Sequence, residues 1–219
     1  MTSMRLDHML LAVRDLDTAT FDFRQRLGMN VVVGGVHPGR GTHNSLVHFG
    51  SAYLELIAVN DPSQERARSF VEHLEGGDGP YTFALAVDDL AAASKVLAAR
   101  GLRVEAARDG SRKTPEGVLL KWTSAQLLPG QGGPGPESPP LPFLIEWQSD
   151  QAGQGWFRDR VVQGRHPVPW GPAHALIVAT RDPNGLAREY TRLFGWEVGG
   201  SGDPVHLVMP GGSGVNLAL

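Results

Sequence analysis

The chain has 219 residues, 41% of them hydrophobic, enough to bury a substantial core in one large domain or two small ones, which excludes a disordered chain. A net charge of -3 and an isoelectric point near 6.2 leave no electrostatic footprint for nucleic acid or an anionic membrane surface, so a small molecule is the expected partner. Without cysteine there is no disulfide framework, thiolate nucleophile or thiolate metal site, and any metal must be held by histidine and carboxylate.

The opening MTSMRLDHML reaches charged residues at once, and no later run approaches the roughly 18 apolar residues of a membrane span; a soluble cytoplasmic protein is the expectation. LDHMLLAVRDL, Leu6 to Leu16, reads as an apolar strand running into Arg-Asp-Leu. The helix DTATFDFRQRLG follows and closes on Gly28, where a left-handed C-cap is common. MNVVV, SLVHF and YLELIAV then read as strands. The same form returns in PYTFALAVDDL, Pro80 to Leu90, with the helix AAASKVLAARG closing on Gly101. The strand-like runs Leu102 to Ala106, VLLKWTSAQ and PFLIEWQ follow it, with SRKTPEG, Ser111 to Gly117, as a hairpin turn. A third copy begins at HALIVATRDP, continues through the helix NGLAREYTRLFG to Gly195, and ends in WEVGG, VHLVM and GVNLAL. Between two strands of the second copy, LPGQGGPGPESPPLP (Leu128 to Pro142) is too rich in glycine and proline for regular structure and reads as a mobile excursion, and Ser149 to Gly171 reads as a linker to the third copy with a short helix at Phe157 to Val162.

These repeats predict an α+β fold of three βαβββ modules: 1–75, 76–148 and, after a linker over 149–170, a degenerate third at 171–219. A single small sheet cannot bury its apolar face alone, so residues 1–148 are expected to set two modules side by side around a cup. The odd module count leaves the third sheet edge available to a second copy, as in a homodimer.

Within YLELIAV, Tyr53 to Val59, Glu55 stands in a strand that reads as buried on both faces, and a lone ionised carboxylate cannot leave water without a partner. Registering the copies on their Asp and Gly landmarks sets Glu55 opposite Glu146 of FLIEWQ and Asn216 of GVNLAL, and sets His8 opposite Thr82 and Ala175. Ion pairs with Arg112, Arg103 or Lys121 would explain either glutamate alone, but the repetition favours a ligand or catalytic role. In HPGRGTHN, His37 to Asn44, the segment is a glycine turn or a rim loop pointing Arg40, His43 and Asn44 at a polar substrate. Trp122 and Trp147 are pocket walls or core aromatics.

DHMLLAVRDLDTA, GGVHPGRGTHNSLVHFG, YLELIAV and FLIEWQ together resemble the vicinal oxygen chelate superfamily, in particular its glyoxalase-like branch, over most of the chain. The resemblance implies a cupped half-barrel of mixed sheet around a divalent metal, with Zn, Ni, Mn, Co and Fe all compatible with histidine and carboxylate. Carried over, the ligand positions are His8, Glu55, Thr82 and Glu146. Thr82 departs from the pattern, so His8, Glu55 and Glu146 are the expected metal ligands, with His43, water or substrate at the fourth corner. The implied activity is that of a metal-dependent lyase or isomerase on a small oxygenated substrate, with Glu146 or His43 as general base and Arg112 holding a substrate carboxylate. The alternatives are a drug-sequestering binding protein of the same fold, or an Fe(II) ring-cleaving dioxygenase, which needs two histidines and a carboxylate and so needs His43.

Overall fold

The computed structural model describes residues 4–130, 141–148, 166–168, 173, 175–199, 205–208 and 214–218. The proposed helix at 157–162 and most of the glycine- and proline-rich excursion lie outside the described residues.

Thirteen strands and four α-helices are described, confirming a mixed α+β fold. The first module contributes β1 (Met4–Ala12), α1 (Leu16–Gln25), β2 (Val31–His37), β3 (Thr42–Phe49) and β4 (Ala52–Val59). A 3₁₀ turn (Glu65–Ala67) and α2 (Arg68–Glu75) follow, then β5 (Gly79–Val87), α3 (Leu90–Ala99), β6 (Arg103–Val104), β7 (Arg108–Lys113), β8 (Leu119–Leu128) and β9 (Phe143–Gln148). The last stretch holds β10 (Ala175–Ala179), α4 (Pro183–Phe194), β11 (Glu197–Val198), β12 (Val205–Val208) and β13 (Gly214–Ala218).

The repeat is written in capping chemistry. Asp15, Asp89 and Asp182 are the N-caps of α1, α3 and α4, their carboxylates accepting from the N–H groups of Thr18, Ala92 and Gly185 at 2.7–2.8 Å. Gly195 ends α4 in the left-handed conformation, φ +71°.

Nine strands form one curved sheet in the order β2-β3-β4-β1-β5-β9-β8-β6, with β7 paired to β8. β1 runs parallel to β4 and antiparallel to β5, and β5 runs parallel to β9, so the first two modules join through β1 and β5. The sheet curls until Arg112 of β7 donates from Nη1 to the Gly34 carbonyl of β2 at 2.5 Å. Arg112 therefore lies within a strand and is buried, and the turn predicted from Ser111 is confined to Thr114–Gly117, where the Gly117 N–H reaches the Thr114 carbonyl at 2.9 Å.

A second sheet takes the order β10-β13-β12-β11. One apolar cluster binds it to the rest: Leu186, Tyr190 and Leu193 of α4 belong to the same core as Leu90, Ala93 and Leu97 of α3 and Leu85 of β5. A separate cluster sets Leu16 of α1 with Val47, Leu56 and Ala58, the outer faces of β3 and β4. Helix α2 is not predicted by the repeat. It places Phe70 and Leu74, spaced i and i+4, with Leu10, Ala12 and Ile57, and Phe70 stacks on Tyr81 at 4.3 Å.

Candidate functional site

The concave face encloses a cavity of about 530 Å³, lined by side chains of the first two modules. At its floor, His8 is buried and both ring nitrogens meet carboxylates: Nδ1 lies 2.6 Å from Asp7 Oδ2, and Nε2 lies 3.3 Å from Glu55 Oε2. The other Glu55 oxygen accepts from Asn44 Nδ2 at 2.6 Å. Asp7 accepts in turn from the Trp147 indole N–H at 3.0 Å. A chain of contacts therefore runs from Trp147 through Asp7, His8 and Glu55 to Asn44, tying β9 to β1, β4 and β3.

Local strand geometry explains the chain. The pairing of β1 with β5 shifts register between Leu6 and His8, and Asp7 occupies the irregularity. Leu6 consequently packs with the outer core, not on the His8 face as regular alternation predicts. In β2 the register shifts between Val33 and Gly35, which carries His37 into the cavity lining although Val31, six residues earlier, packs in the α1 cluster. Gly34 serves this bulge, since a Cβ there would lie 2.0 Å from Asn44 Oδ1.

The electrostatics follow from burial and pairing. Burial pushes the His8 imidazole down, but Asp7 and Glu55 outweigh it and raise its pKa to about 9, so His8 is an imidazolium at neutral pH. Burial pushes the Glu55 carboxyl up, yet His8, His37 and Asn44 hold it at about 2. His37 Nδ1 meets Thr42 Oγ1 at 2.9 Å and its Nε2 lies 3.8 Å from Glu55 Oε1. Burial, helped by the charges of Arg112, Arg40 and His43, lowers His37 to about 4 and leaves it neutral. Tyr53 stacks on His8 with ring centroids 4.5 Å apart, and its burial raises the phenol well above the ordinary value.

Of the residues singled out from sequence, His8, Glu55, Arg40, Asn44, Arg112, Trp122 and Trp147 line the cavity, as does Thr82. Glu146 and His43 do not. Glu146 Oε2 accepts from the Leu90 N–H at 2.7 Å, capping α3 on the convex side of the sheet. His43 alternates with the cavity-lining Thr42 and Asn44 and therefore faces away from the cavity, on the side of α1 and its Asp15 cap.

The misplacement of Glu146 is a register slip. Leu10 and Ala84 both stand five residues before their helix N-caps, Asp15 and Asp89; Leu10 pairs with Glu55, whereas Ala84 pairs with Phe143. The second-module counterpart of Glu55 is thus Phe143, and the three-residue offset to Glu146 turns the side chain to the other face. The third module keeps the expected alignment, with Ile177 paired to Asn216.

A metal held as the resemblance implies does not fit this donor set. Two of the four positions, Thr82 and Phe143, bring no histidine or carboxylate, and the nitrogens of His8 are already engaged by Asp7 and Glu55. Among the described residues no group of three or more His, Asp or Glu side chains converges to hold an ion. His43, which the dioxygenase alternative needs as its second histidine, lies outside the cavity lining. Sequence reading overlooked Asp7, His37 and Tyr53; a period-two pattern cannot reveal Asp7 or His37, because each owes its place to a strand irregularity.

The family model described as a glyoxalase-like domain matches residues 6–194. The chain belongs to the glyoxalase-like domain family. A search of curated proteins finds no match to it. Among solved structures, a hypothetical protein from Staphylococcus aureus is 15% identical with a TM-score of 0.78, over 98% of this chain and 86% of that one. A variant of Streptomyces coelicolor methylmalonyl-CoA epimerase, in complex with 2-nitronate-propionyl-CoA, is 21% identical with a TM-score of 0.50, over 67% of this chain and 99% of that one. At these identities the likeness to this glyoxalase-like protein is one of fold. No helix among the described residues is long and apolar enough to cross a membrane.

Proposed function

We propose that this glyoxalase-like protein is an enzyme of the isomerase or lyase type that moves a proton on a carbon next to an oxygenated carbon of a small substrate. The buried pair of Glu55 and His8 in the cavity floor is the observation that carries the reading. Glu55 is ionised and takes the proton from carbon. The positive charge of the His8 imidazolium, oriented by Asp7, stabilises the negative charge that develops on the neighbouring substrate oxygen. Tyr53 and Phe143 pack on the His8 ring and keep water from it. The reading passes through no metal, because the donor set does not fit one. The fold likeness to an epimerase of a CoA ester supports proton transfer beside a carbonyl as the reaction class.

The test is solvent deuterium exchange followed by NMR with pyruvate, oxaloacetate and methylmalonyl-CoA. Exchange is expected with at least one compound and should fall by about 10²- to 10⁴-fold in Glu55→Gln, the usual worth of a positioned base. Exchange unchanged in that variant, or none with the whole panel, refutes the reading. Five arginines in the lining (Arg40, Arg66, Arg68, Arg108 and Arg112) favour a second reading, a protein that sequesters a small anion, which the same samples reveal as binding without exchange.

A further inference from the structure

We propose that the mouth of the cup is an oxyanion site, in which the guanidinium of Arg40 anchors a carboxylate or phosphate group of the substrate while the rest of the molecule reaches the floor. This deepens the proposed function and rests on the same cavity being the substrate site.

Arg40 stands at the tip of the β2–β3 hairpin on a backbone that cannot relax. Gly39 and Gly41 on either side both have φ +67°, and the Arg40 N–H reaches the His37 carbonyl at 3.1 Å. The Gly41 carbonyl accepts from the N–H groups of Asn60 and Asp61, and a Cβ on Gly41 would lie 2.3 Å from the Asp61 carbonyl oxygen. The turn thus fixes where the arginine leaves the chain. Its guanidinium carbon then lies 5.5 Å from the Trp122 ring centroid, a cation–π arrangement that holds the side chain along the wall.

No ion pair satisfies this cation. No carboxylate of the described residues lies within 4.0 Å of Arg40, since Glu55 is committed to His8 and Asn44 and Glu105 to Arg108. After burial, the charge of Arg66 does most to disfavour the Arg40 cation and Arg108 adds to it, while Glu55, more strongly than Arg108 but less than Arg66, acts in its favour. Arg66, from the 3₁₀ turn after β4, lines the same cavity and likewise has no ion pair among the described residues. A half-buried guanidinium on an aromatic face, repelled by neighbouring arginines, is stabilised by an oxyanion, which its planar fork binds with two parallel hydrogen bonds.

Calorimetric titration of the full chain with malonate and with inorganic phosphate tests the site. One of the two should bind with a 1:1 stoichiometry, and the tighter of them names the oxyanion. Arg40→Met should weaken that binding by about tenfold or more, and Arg66→Ala by about two- to threefold, as expected for losing a charge-assisted hydrogen bond or a nearby charge. Should Arg40→Met fail to fold, Arg40→Lys, which keeps the charge and loses the fork, is judged by weakened binding on the same scale. Glu55→Gln should retain anion binding. Loss in Arg40→Met with retention in Glu55→Gln therefore upholds the site even where deuterium exchange is absent and the enzyme reading has fallen. Binding of neither anion, or equal binding in Arg40→Met and the unaltered protein, overturns the inference.

Discussion

The buried His8–Glu55 pair makes stability depend on pH in a way that one substitution, His8→Gln, removes. In the folded protein His8 titrates near 9 against 6.5 for the free side chain, so it binds its proton more tightly when folded. That contribution is complete below about pH 6.5 and is lost as pH rises through about 9. Glu55 is held at about 2 against 4.5, so its contribution is present above about pH 4.5 and lost as pH falls towards 2. The two shifts share the His8–Glu55 contact, with Asp7 the first cause of the rise at His8 and His37 and Asn44 also holding Glu55 down, and are not added. A shift from 6.5 to about 9 corresponds to roughly 3 kcal/mol, and both side chains are buried enough that solvent screening does not discount it. Urea denaturation at about pH 6 and about pH 9.5 reads the effect as a difference between proteins, cancelling the titrating groups that do not contact His8. The unaltered protein should lose on the order of 3 kcal/mol more than His8→Gln between those pH values. Parallel losses in the two proteins would refute the assignment of His8 as a buried imidazolium.

Glu146→Ala should lower stability by about 1 kcal/mol, because it removes the acceptor of the Leu90 N–H at the start of α3; oxyanion binding measured on the same sample should not change. Gly35→Ala should destabilise by more than about 2 kcal/mol, seen as a lowered melting temperature, because the backbone there has φ +137° and a Cβ would meet the Lys113 carbonyl oxygen at 2.5 Å. In a ¹⁵N-resolved NMR titration the His37 ring should remain neutral from about pH 8 down to about pH 5, since its pKa is lowered to about 4, while His8 should titrate near 9.

What the sequence revealed of the fold was what local chemistry encodes. An aspartate N-cap after each opening strand is a property of a few consecutive residues, so Asp15, Asp89 and Asp182 place all three helices and bring His8 and Thr82 into correspondence. The last strand of each module has no such landmark. In the second module it follows a long excursion of glycine and proline, and its register is set by parallel pairing with β5, a contact between residues some sixty positions apart, Ala84 and Phe143. Apolar neighbours on both sides made Glu146 resemble Glu55 when its carboxylate serves a helix end. Similarly, β2 and β1 each carry a register shift, and a shift reverses the face of everything beyond it. His37 and Asp7 were hidden for that reason, and His43 was put forward in place of His37.

Correcting the register changes how the two modules share the cup. The second module faces it with Thr82, Trp122, Phe143, Ile145 and Trp147, and the first with His8, His37, Asn44, Tyr53 and Glu55. The titratable groups of the floor thus come from one module, and an apolar and aromatic wall from the other. The wall is not passive. Trp147 donates to Asp7 and so fixes the carboxylate that holds His8 charged, Phe143 packs edge-on against the same imidazole at 5.6 Å, and Trp122 carries the Arg40 guanidinium. A carboxylate at Phe143 would add a second negative charge beside the Glu55–His8 pair and compete for the imidazolium, raising the Glu55 pKa. An aromatic ring there excludes water and leaves that ion pair undisturbed. The departure from a two-sided ligand set is therefore coherent with a site built on a charged histidine, and it makes Phe143→Glu an informative change: it should lift the Glu55 pKa from about 2 and weaken oxyanion binding, and an unaltered affinity for malonate and phosphate would show that the charge state of the floor does not reach Arg40.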